Sequence, residues 1–130
     1  MPKPSAIVSF GIFDFTLNPT FLIVGDSDGI ASLARFLEMA APSSLLLPEW
    51  LQPLNGYELT IGHATQRSIL SVSGLAIDWK ISTDAAAEYV GLLRSLSACK
   101  GPAHQYLEAA SAYEICVSKD EYTADFLKRS

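Results

Sequence analysis

The chain alternates between two kinds of hydrophobic spacing, and the order in which they occur is the strongest constraint on its fold. Extended apolar runs come in groups of two or three, and only two long segments carry helical spacing. A parallel α/β sheet is typical of strands that alternate strictly with helices, which is not the order seen here. We therefore expect an α+β fold for residues 1–130. It would be a single domain with a largely antiparallel β-sheet, two main helices packed on one face and a short C-terminal helix.

The first part of the chain has the pattern of two strands followed by a helix. Ala6 to Leu17 carries apolar side chains on both faces of an extended segment, and the continuous run Thr20 to Val24 is short enough for a buried strand. Asn18 and Pro19 between the two runs indicate a turn, so together the runs predict a hairpin. Apolar residues then recur at helical spacing, which predicts a helix from about Asp28 to Ala41.

The middle of the chain changes to a period of two. Pro42 to Asn55 contains three prolines and no sustained period, which predicts an ordered loop or a short helical turn. Beyond it, three alternating runs predict half-buried strands joined by short connections as a meander: Tyr57 to His63, Ser68 to Val72 and Leu75 to Ile81.

The last third of the chain contains the second helix and the closing strands. Leu75, Ile77 and Trp79 share one face of the preceding strand, which predicts that they belong to the core. Polar capping residues before Ala85 and helical apolar spacing after it predict a helix. The remaining elements expected are the helix from about Thr83 to Cys99, strands at His104 to Leu107 and Ala112 to Val117, and a short helix at Glu121 to Lys128.

Composition narrows the classes of function. Hydrophobic residues make up 49% and charged residues 18% of the 130, so the chain has enough apolar surface to fold. The net charge of −5 has the wrong sign for a protein that binds phosphates, so we do not expect a nucleic-acid partner. No run approaches the roughly 18 consecutive apolar residues of a membrane span. The N-terminal residues lack the pattern of an export signal, so we expect a cytoplasmic protein without a membrane partner.

Two features invite a chemical interpretation and also have a plainer one. Cys99 and Cys116 lie in no metal or redox spacing, and we expect buried free thiols. The segment Gly25 to Gly29 lies between a strand and a helix, where phosphate-binding turns occur, but its glycine spacing differs from theirs and its two aspartates would repel a phosphate. Turn and capping chemistry is the simpler interpretation, with Mg²⁺ or Ca²⁺ binding as the alternative.

No catalytic constellation is evident in the sequence. His63 and His104 stand alone, outside the spacings of metal-binding motifs, and no serine or cysteine has a nucleophile signature. We expect no catalytic residue, no metal and no cofactor. The alternative is a small hydrolase or ligand-binding domain with a pocket near His104 and Asp78, in which Glu108 or Asp78 is the acid–base partner of His104.

Two places suit contact with another protein. Trp50 lies in the proline-bounded loop, where an aromatic ring is either an anchor folded back onto the domain or a contact for a partner. Near the C-terminus, an acidic cluster is either a solvated start of a helix or a docking patch for a basic partner. That cluster consists of Asp120, Glu121, Tyr122 and Asp125.

Two segments resemble the bacterial immunity-protein family usually numbered 32. Ile23 to Leu37 is similar to that family's strand, Gly-Asp pair, glycine and helix containing Leu-Ala. His104 to Glu108 and Tyr113 to Lys119 are similar to its histidine-containing strand, turn and closing strand. Together the segments cover about a fifth of the chain.

The resemblance implies an α+β immunity protein that binds a cognate bacterial toxin and occludes the toxin's active site, without turnover or a cofactor. Carboxylates would stand in for the charge of the substrate, and aromatic side chains would anchor the complex. On this interpretation the partner-binding residues are Glu49, Trp50, Asp120, Glu121, Tyr122 and Asp125. A regulatory or chaperone-like module of a secretion system is a third interpretation, and the oligomeric state is left open.

Overall fold

The computed structural model describes residues 7–13, 19–40 and 47–121. Within them the chain forms eight strands and two helices. In chain order these are β1 (Val8–Phe13), β2 (Thr20–Gly25), α1 (Ser27–Ala40), β3 (Leu51–Pro53), β4 (Glu58–Ala64), β5 (Ile69–Ser73), β6 (Ala76–Ser82), α2 (Thr83–Ala98), β7 (Ala103–Leu107) and β8 (Glu114–Lys119). The predicted α+β class is confirmed. The predicted C-terminal helix lies outside the described residues, apart from Glu121.

The larger sheet has five strands in the order β3-β1-β2-β8-β7. β1 and β2 pair antiparallel, which confirms the predicted hairpin, and β7 pairs antiparallel with β8. β3 runs parallel to β1, and β8 runs parallel to β2. β3 was not predicted, because a three-residue strand that ends in Pro53 has too few positions to show a period.

The other three strands form a separate sheet in the order β4-β6-β5, so the strands are divided between two sheets. β5 and β6 form a hairpin through Gly74, whose φ of +60° suits a tight turn. β4, however, pairs parallel with β6, so the predicted meander is wrong. β6 carries the fully buried Trp79 and Ile77 and takes the central position, where strands cover both of its edges.

The helices begin and end within about two residues of their predicted limits. Asp26 caps α1, its Oδ1 accepting a 2.7 Å hydrogen bond from the Gly29 amide, and Ser82 caps α2 by accepting one of 3.2 Å from Ala85. A Cβ on Gly29 would lie 3.0 Å from a methyl of Val8, so a larger residue in the first turn of α1 would have to displace that side chain. Within the described parts of the chain, neither helix has the length and apolar character needed to cross a bilayer.

One apolar core joins both sheets to the helices. The indole ring of Trp79 on β6 packs edge-on against Phe21 of β2, with ring centroids 5.6 Å apart, and contacts Tyr89 of α2 at 5.7 Å. Ile77 is buried beside it as predicted, but Leu75 is exposed because it lies in the turn before β6. The opposite face of the larger sheet holds a second buried cluster of Phe13, Leu22, Val24, Leu54 and Cys116.

Candidate partner-binding site

The strand register places several loops at one end of the larger sheet. Val8 pairs with Leu51 at the start of β3, and its amide donates a 2.7 Å hydrogen bond to the carbonyl of Trp50. On the other side, Gly25 at the end of β2 pairs with Lys119 at the end of β8, which in turn pairs with Ala103. The residues before β3, after β2 and after β8 therefore meet at this end.

Exposed carboxylates line this end, which we call the acidic rim. Its members come from three segments that are far apart in sequence, and three strand spacings of about 4.8 Å each separate β3 from β8 in the sheet. The acidic rim consists of Asp26, Asp28, Glu49, Asp120 and Glu121. The register thus brings Glu49 to the same end of the sheet as the described part of the predicted acidic cluster. It adds two aspartates, for which the sequence favoured turn and capping chemistry over cation binding.

Among the described residues at this end, basic side chains contribute little to the surface charge. Lys119 lies among the same strand ends but is buried, and its ammonium group donates a hydrogen bond to the carbonyl of Cys99 after the last turn of α2. A cation is favoured at a helix C-terminus by the unpaired carbonyls there. Lys100 is exposed beside it. Carboxylates therefore dominate the charge of the rim.

Glu49 and Trp50 precede β3. The Glu49 side chain is exposed, whereas Trp50 is half-buried with its ring edge-on against Phe36 of α1 at 6.1 Å. Trp50 is thus an anchor folded back onto the domain, the first of its two predicted roles, and only part of its ring reaches the surface. It fixes the position of the loop that presents Glu49.

Asp120 and Glu121 follow β8 and are held by hydrogen bonds. The amide of Asp120 donates to the carbonyl of Gly25 at 3.1 Å. The Glu121 carboxylate accepts a 2.5 Å hydrogen bond from the hydroxyl of Ser118 and lies 3.2 Å from Nδ1 of His104. The other two members of the predicted cluster, Tyr122 and Asp125, lie outside the described residues.

The Ser118, Glu121 and His104 side chains form a network but not a nucleophile site. In a catalytic triad the imidazole stands between the hydroxyl and the carboxylate, whereas here the carboxylate stands between the other two. Ser118 is also fully buried, with 0% of its surface exposed, so no substrate reaches its hydroxyl. Sequence reasoning missed this network, since the pairing of His104 with Ser118 becomes visible only through the β7–β8 register.

The structure places the two residues named for the alternative pocket, His104 and Asp78, on different sheets. His104 lies on β7 of the larger sheet with Glu121 as its partner, whereas Asp78 lies on β6 of the smaller sheet, 3.0 Å from the ammonium of Lys80. Both side chains point away from the shared core, on different sheets. Glu108 lines clefts elsewhere in the fold.

The residues that the structure describes form no metal site, and the two cysteines among them are free thiols. No group of three or more histidine, cysteine, aspartate or glutamate side chains within 7–13, 19–40 and 47–121 is placed to hold a metal ion. Cys116 is buried, and desolvation together with Glu121 and Glu114 raises the pKa of its thiol to about 11. Cys99 was predicted to be buried but is exposed, because it lies just beyond the end of α2.

A cleft that the sequence did not indicate lies at the start of α2. It has a volume of about 460 Å³, and its charged lining residues are Arg67, Asp84, Glu88 and Glu108. Beside it, the hydroxyl of Tyr89 donates a hydrogen bond to the carbonyl of Glu108. Burial is the main reason why the pKa of Tyr89 is raised. Segments distant in sequence line this cleft, so no local motif revealed it.

His63 has an orphan nitrogen. Its ring lies on the core face of β4 beside Ile81, and its Nδ1 is buried without a hydrogen-bond partner among the described residues. The ring of His104, in contrast, has the Glu121 carboxylate as its partner. Comparisons of the chain with models of protein families, with curated proteins and with solved structures gave no significant match.

Proposed function

We propose that this chain is a cytoplasmic immunity protein that binds a cognate bacterial toxin and neutralises it by covering the toxin's active site. Inhibition of this kind needs a stable surface that complements the toxin, and it needs neither turnover nor a cofactor. The proposal rests on the acidic rim together with the family resemblance of the two sequence segments.

The acidic rim is the observation that carries the proposal. Five exposed carboxylates lie across one end of the larger sheet, in a chain whose net charge is already −5. Such a surface attracts a basic partner over a distance of about a Debye length and speeds encounter with it. A toxin that binds a polyanionic substrate has a positive cleft, and the rim presents carboxylates to such a cleft as a substitute for the substrate.

Two of the five rim carboxylates are also held in place by hydrogen bonds before any partner arrives. Asp26 is fixed by its cap to Gly29, and Glu121 by Ser118 and His104. Groups that are already ordered lose little conformational entropy on binding, so more of the interaction energy appears as affinity. This arrangement favours a tight inhibitor.

The test is co-purification with the product of the neighbouring gene, followed by a toxicity-rescue assay in cells that express that product. The variant Glu49→Lys with Asp120→Lys should weaken the complex about tenfold or more, with the largest change in association rate at low salt. The matched control is Glu58→Lys with Glu88→Lys, which makes the same change of charge away from the rim and should bind as the wild type does.

Two results would remove the proposal. One is a neighbouring product that is neither toxic nor bound by the chain. The other is a complex that the rim and control variants weaken equally, because a contact away from the rim would then explain binding. Both variants change exposed residues, so a thermal-unfolding profile like that of the wild type shows that each has folded.

A further inference from the structure

The outer strand β7 differs from β3 and β5, two of the other three outer strands of the two sheets. β3, at the opposite side of the larger sheet, has three residues and ends in Pro53. The outer strand β5 is engaged by the loop before β8, where the Leu70 amide donates to the carbonyl of Ala110 at 3.2 Å. β7 has five residues and contains no proline, lysine or arginine. Those residues are the usual protection of an exposed sheet edge, so β7 retains the capacity to pair with an added strand.

A cleft of about 370 Å³ lies at the end of β7. The β7–β8 register pairs Leu107 with Ile115, and the next positions along the two strands are Glu108 and Glu114. Both glutamates line the cleft, and no described residue that lines it is basic. Like charges placed opposite each other on paired strands are destabilising, so a cation between the two carboxylates would relieve their repulsion.

Two aromatic rings complete the lining of this cleft. Tyr106 is 51% exposed and lies on the face of the sheet away from the core, as the partner of Cys116 in the register, and Tyr113 precedes β8. A planar guanidinium stacks on an aromatic ring and binds carboxylates through its fork of N–H donors. Arginine therefore matches this combination of tyrosines and glutamates better than the compact ammonium of lysine does.

We propose that the outer edge of β7 pairs with an extended segment of the partner, and that an arginine of that segment enters the cleft formed by Tyr106, Tyr113, Glu108 and Glu114. The paired main chain supplies affinity, and the arginine fixes the register of the added strand. The inference rests on the proposed function for the source of that segment. Its test uses a synthetic peptide, so either proposal can fail without the other.

The experiment is an NMR titration of the full chain with a short acetylated peptide of alternating valine and arginine. The same peptide with citrulline in place of arginine is the neutral control. We expect saturable shifts in the amides of Ala103–Leu107 and in the rings of Tyr106 and Tyr113, and about tenfold weaker binding of the citrulline peptide. The variant Glu108→Gln with Glu114→Gln should reduce the affinity for the arginine peptide to that of the citrulline peptide.

The controls separate this site from the general acidity of the chain. Glu58→Gln with Glu88→Gln removes the same charge elsewhere and should leave binding unchanged. Tyr106→Lys places a charge on the exposed edge and should abolish binding while the other amide shifts stay in place. The inference is overturned if both peptides bind equally, if the shifts lie away from β7, or if no saturable shift occurs. It is also overturned if sedimentation shows that two copies of the chain pair through β7 and Tyr106→Lys separates them.

Discussion

The two sheets bury their strands in different ways. In the larger sheet, β1, β2 and β8 are buried at nearly every position, because the main core covers one face and the cluster around Leu22 lies on the other. In the smaller sheet, β4 and β6 alternate between buried and exposed positions. Continuous apolar runs thus mark strands covered on both faces, and alternating runs mark strands with one face in water.

The two sheets also differ in which of their surfaces a partner could contact. The smaller sheet has a wet face that carries the ion pair of Asp78 with Lys80. The larger sheet is covered on both faces at its centre, so its ends and its outer strands are the parts that reach the surface. The acidic rim and the cleft beside β7 lie at these places. A sheet buried on both faces leaves its ends and edges for contact with a partner.

Removing the indole of Trp79 should destabilise the fold more than any other change considered, because this ring packs between the two sheets. Trp79→Ala should lower the free energy of unfolding by about 3–5 kcal/mol. Urea unfolding followed by circular dichroism measures the loss. If the alanine variant does not fold, Trp79→Phe should fold with a smaller loss. A loss below about 1 kcal/mol in Trp79→Ala would show that the sheets are joined elsewhere.

Truncating an aliphatic side chain to alanine should cost much more stability on the outward face of the larger sheet than on that of the smaller sheet. Leu22→Ala, on the face of the larger sheet away from the main core, should cost about 2–5 kcal/mol because Leu22 is buried. Ile69→Ala, on the outward face of the smaller sheet, should cost less than about 1 kcal/mol since its side chain is 42% exposed. Equal losses in urea unfolding would contradict the assignment of one dry and one wet outward face.

Removing the hydroxyl of Tyr89, which lies where α2 meets the loop after β7, should cost less stability than these truncations. Tyr89→Phe removes its hydrogen bond to the carbonyl of Glu108 and should cost about 1 kcal/mol. Burial raises the pKa of Tyr89 above its ordinary 10.0, so stability falls as the pH rises beyond that value. Part of this alkaline loss should disappear in the variant. Identical alkaline unfolding curves for the two proteins would assign the loss to other groups.

Labelling of the two thiols tests the burial of the second face of the larger sheet without changing the stability of the protein. Cys99 is exposed and should react with iodoacetamide in the folded protein. Cys116 is buried with a pKa of about 11, so it should react only after unfolding. Mass spectrometry of the labelled peptides measures both rates. Equal labelling in native buffer would show that the second face of the larger sheet is open to water.

Stability should also fall as the Cys116 thiol ionises. A folded-state pKa above the unfolded one means that the neutral thiol stabilises the fold, and this contribution is lost between about pH 9 and pH 11. Cys116→Ala should remove that part of the pH dependence, at the cost of a small cavity. A variant that retains the full slope over this range would assign it to other groups such as Tyr89.

Local signals predicted the elements, and non-local pairing decided how they assemble. Both helices were predicted to within about two residues, because their caps at Asp26 and Ser82 and their apolar spacing are local. The predicted meander was wrong because β4 pairs with β6 and not with β5, the next strand in sequence, and no local signal distinguishes these two partners. The division into two sheets has the same non-local origin.

The sequence likewise indicated some residues of the candidate site and missed those that depend on strand pairing. Glu49 and Asp120 were chosen from their charge and loop position, and both lie on the acidic rim. Asp26 and Asp28 were assigned to turn and capping chemistry, because nothing in the sequence showed that β2 ends beside β8. The partner of His104 was missed for the same reason, since its contact with Glu121 requires the β7–β8 register.

The positions of the two tryptophans make the protein its own spectroscopic probe. Trp79 lies fully buried where the sheets meet, and Trp50 lies half-buried beside the acidic rim. Emission from a Trp50→Phe variant should therefore follow only global denaturation, whereas emission from a Trp79→Phe variant should respond to an approaching protein before the fold is disturbed. One chain thus carries separate optical signals for its integrity and for its encounters.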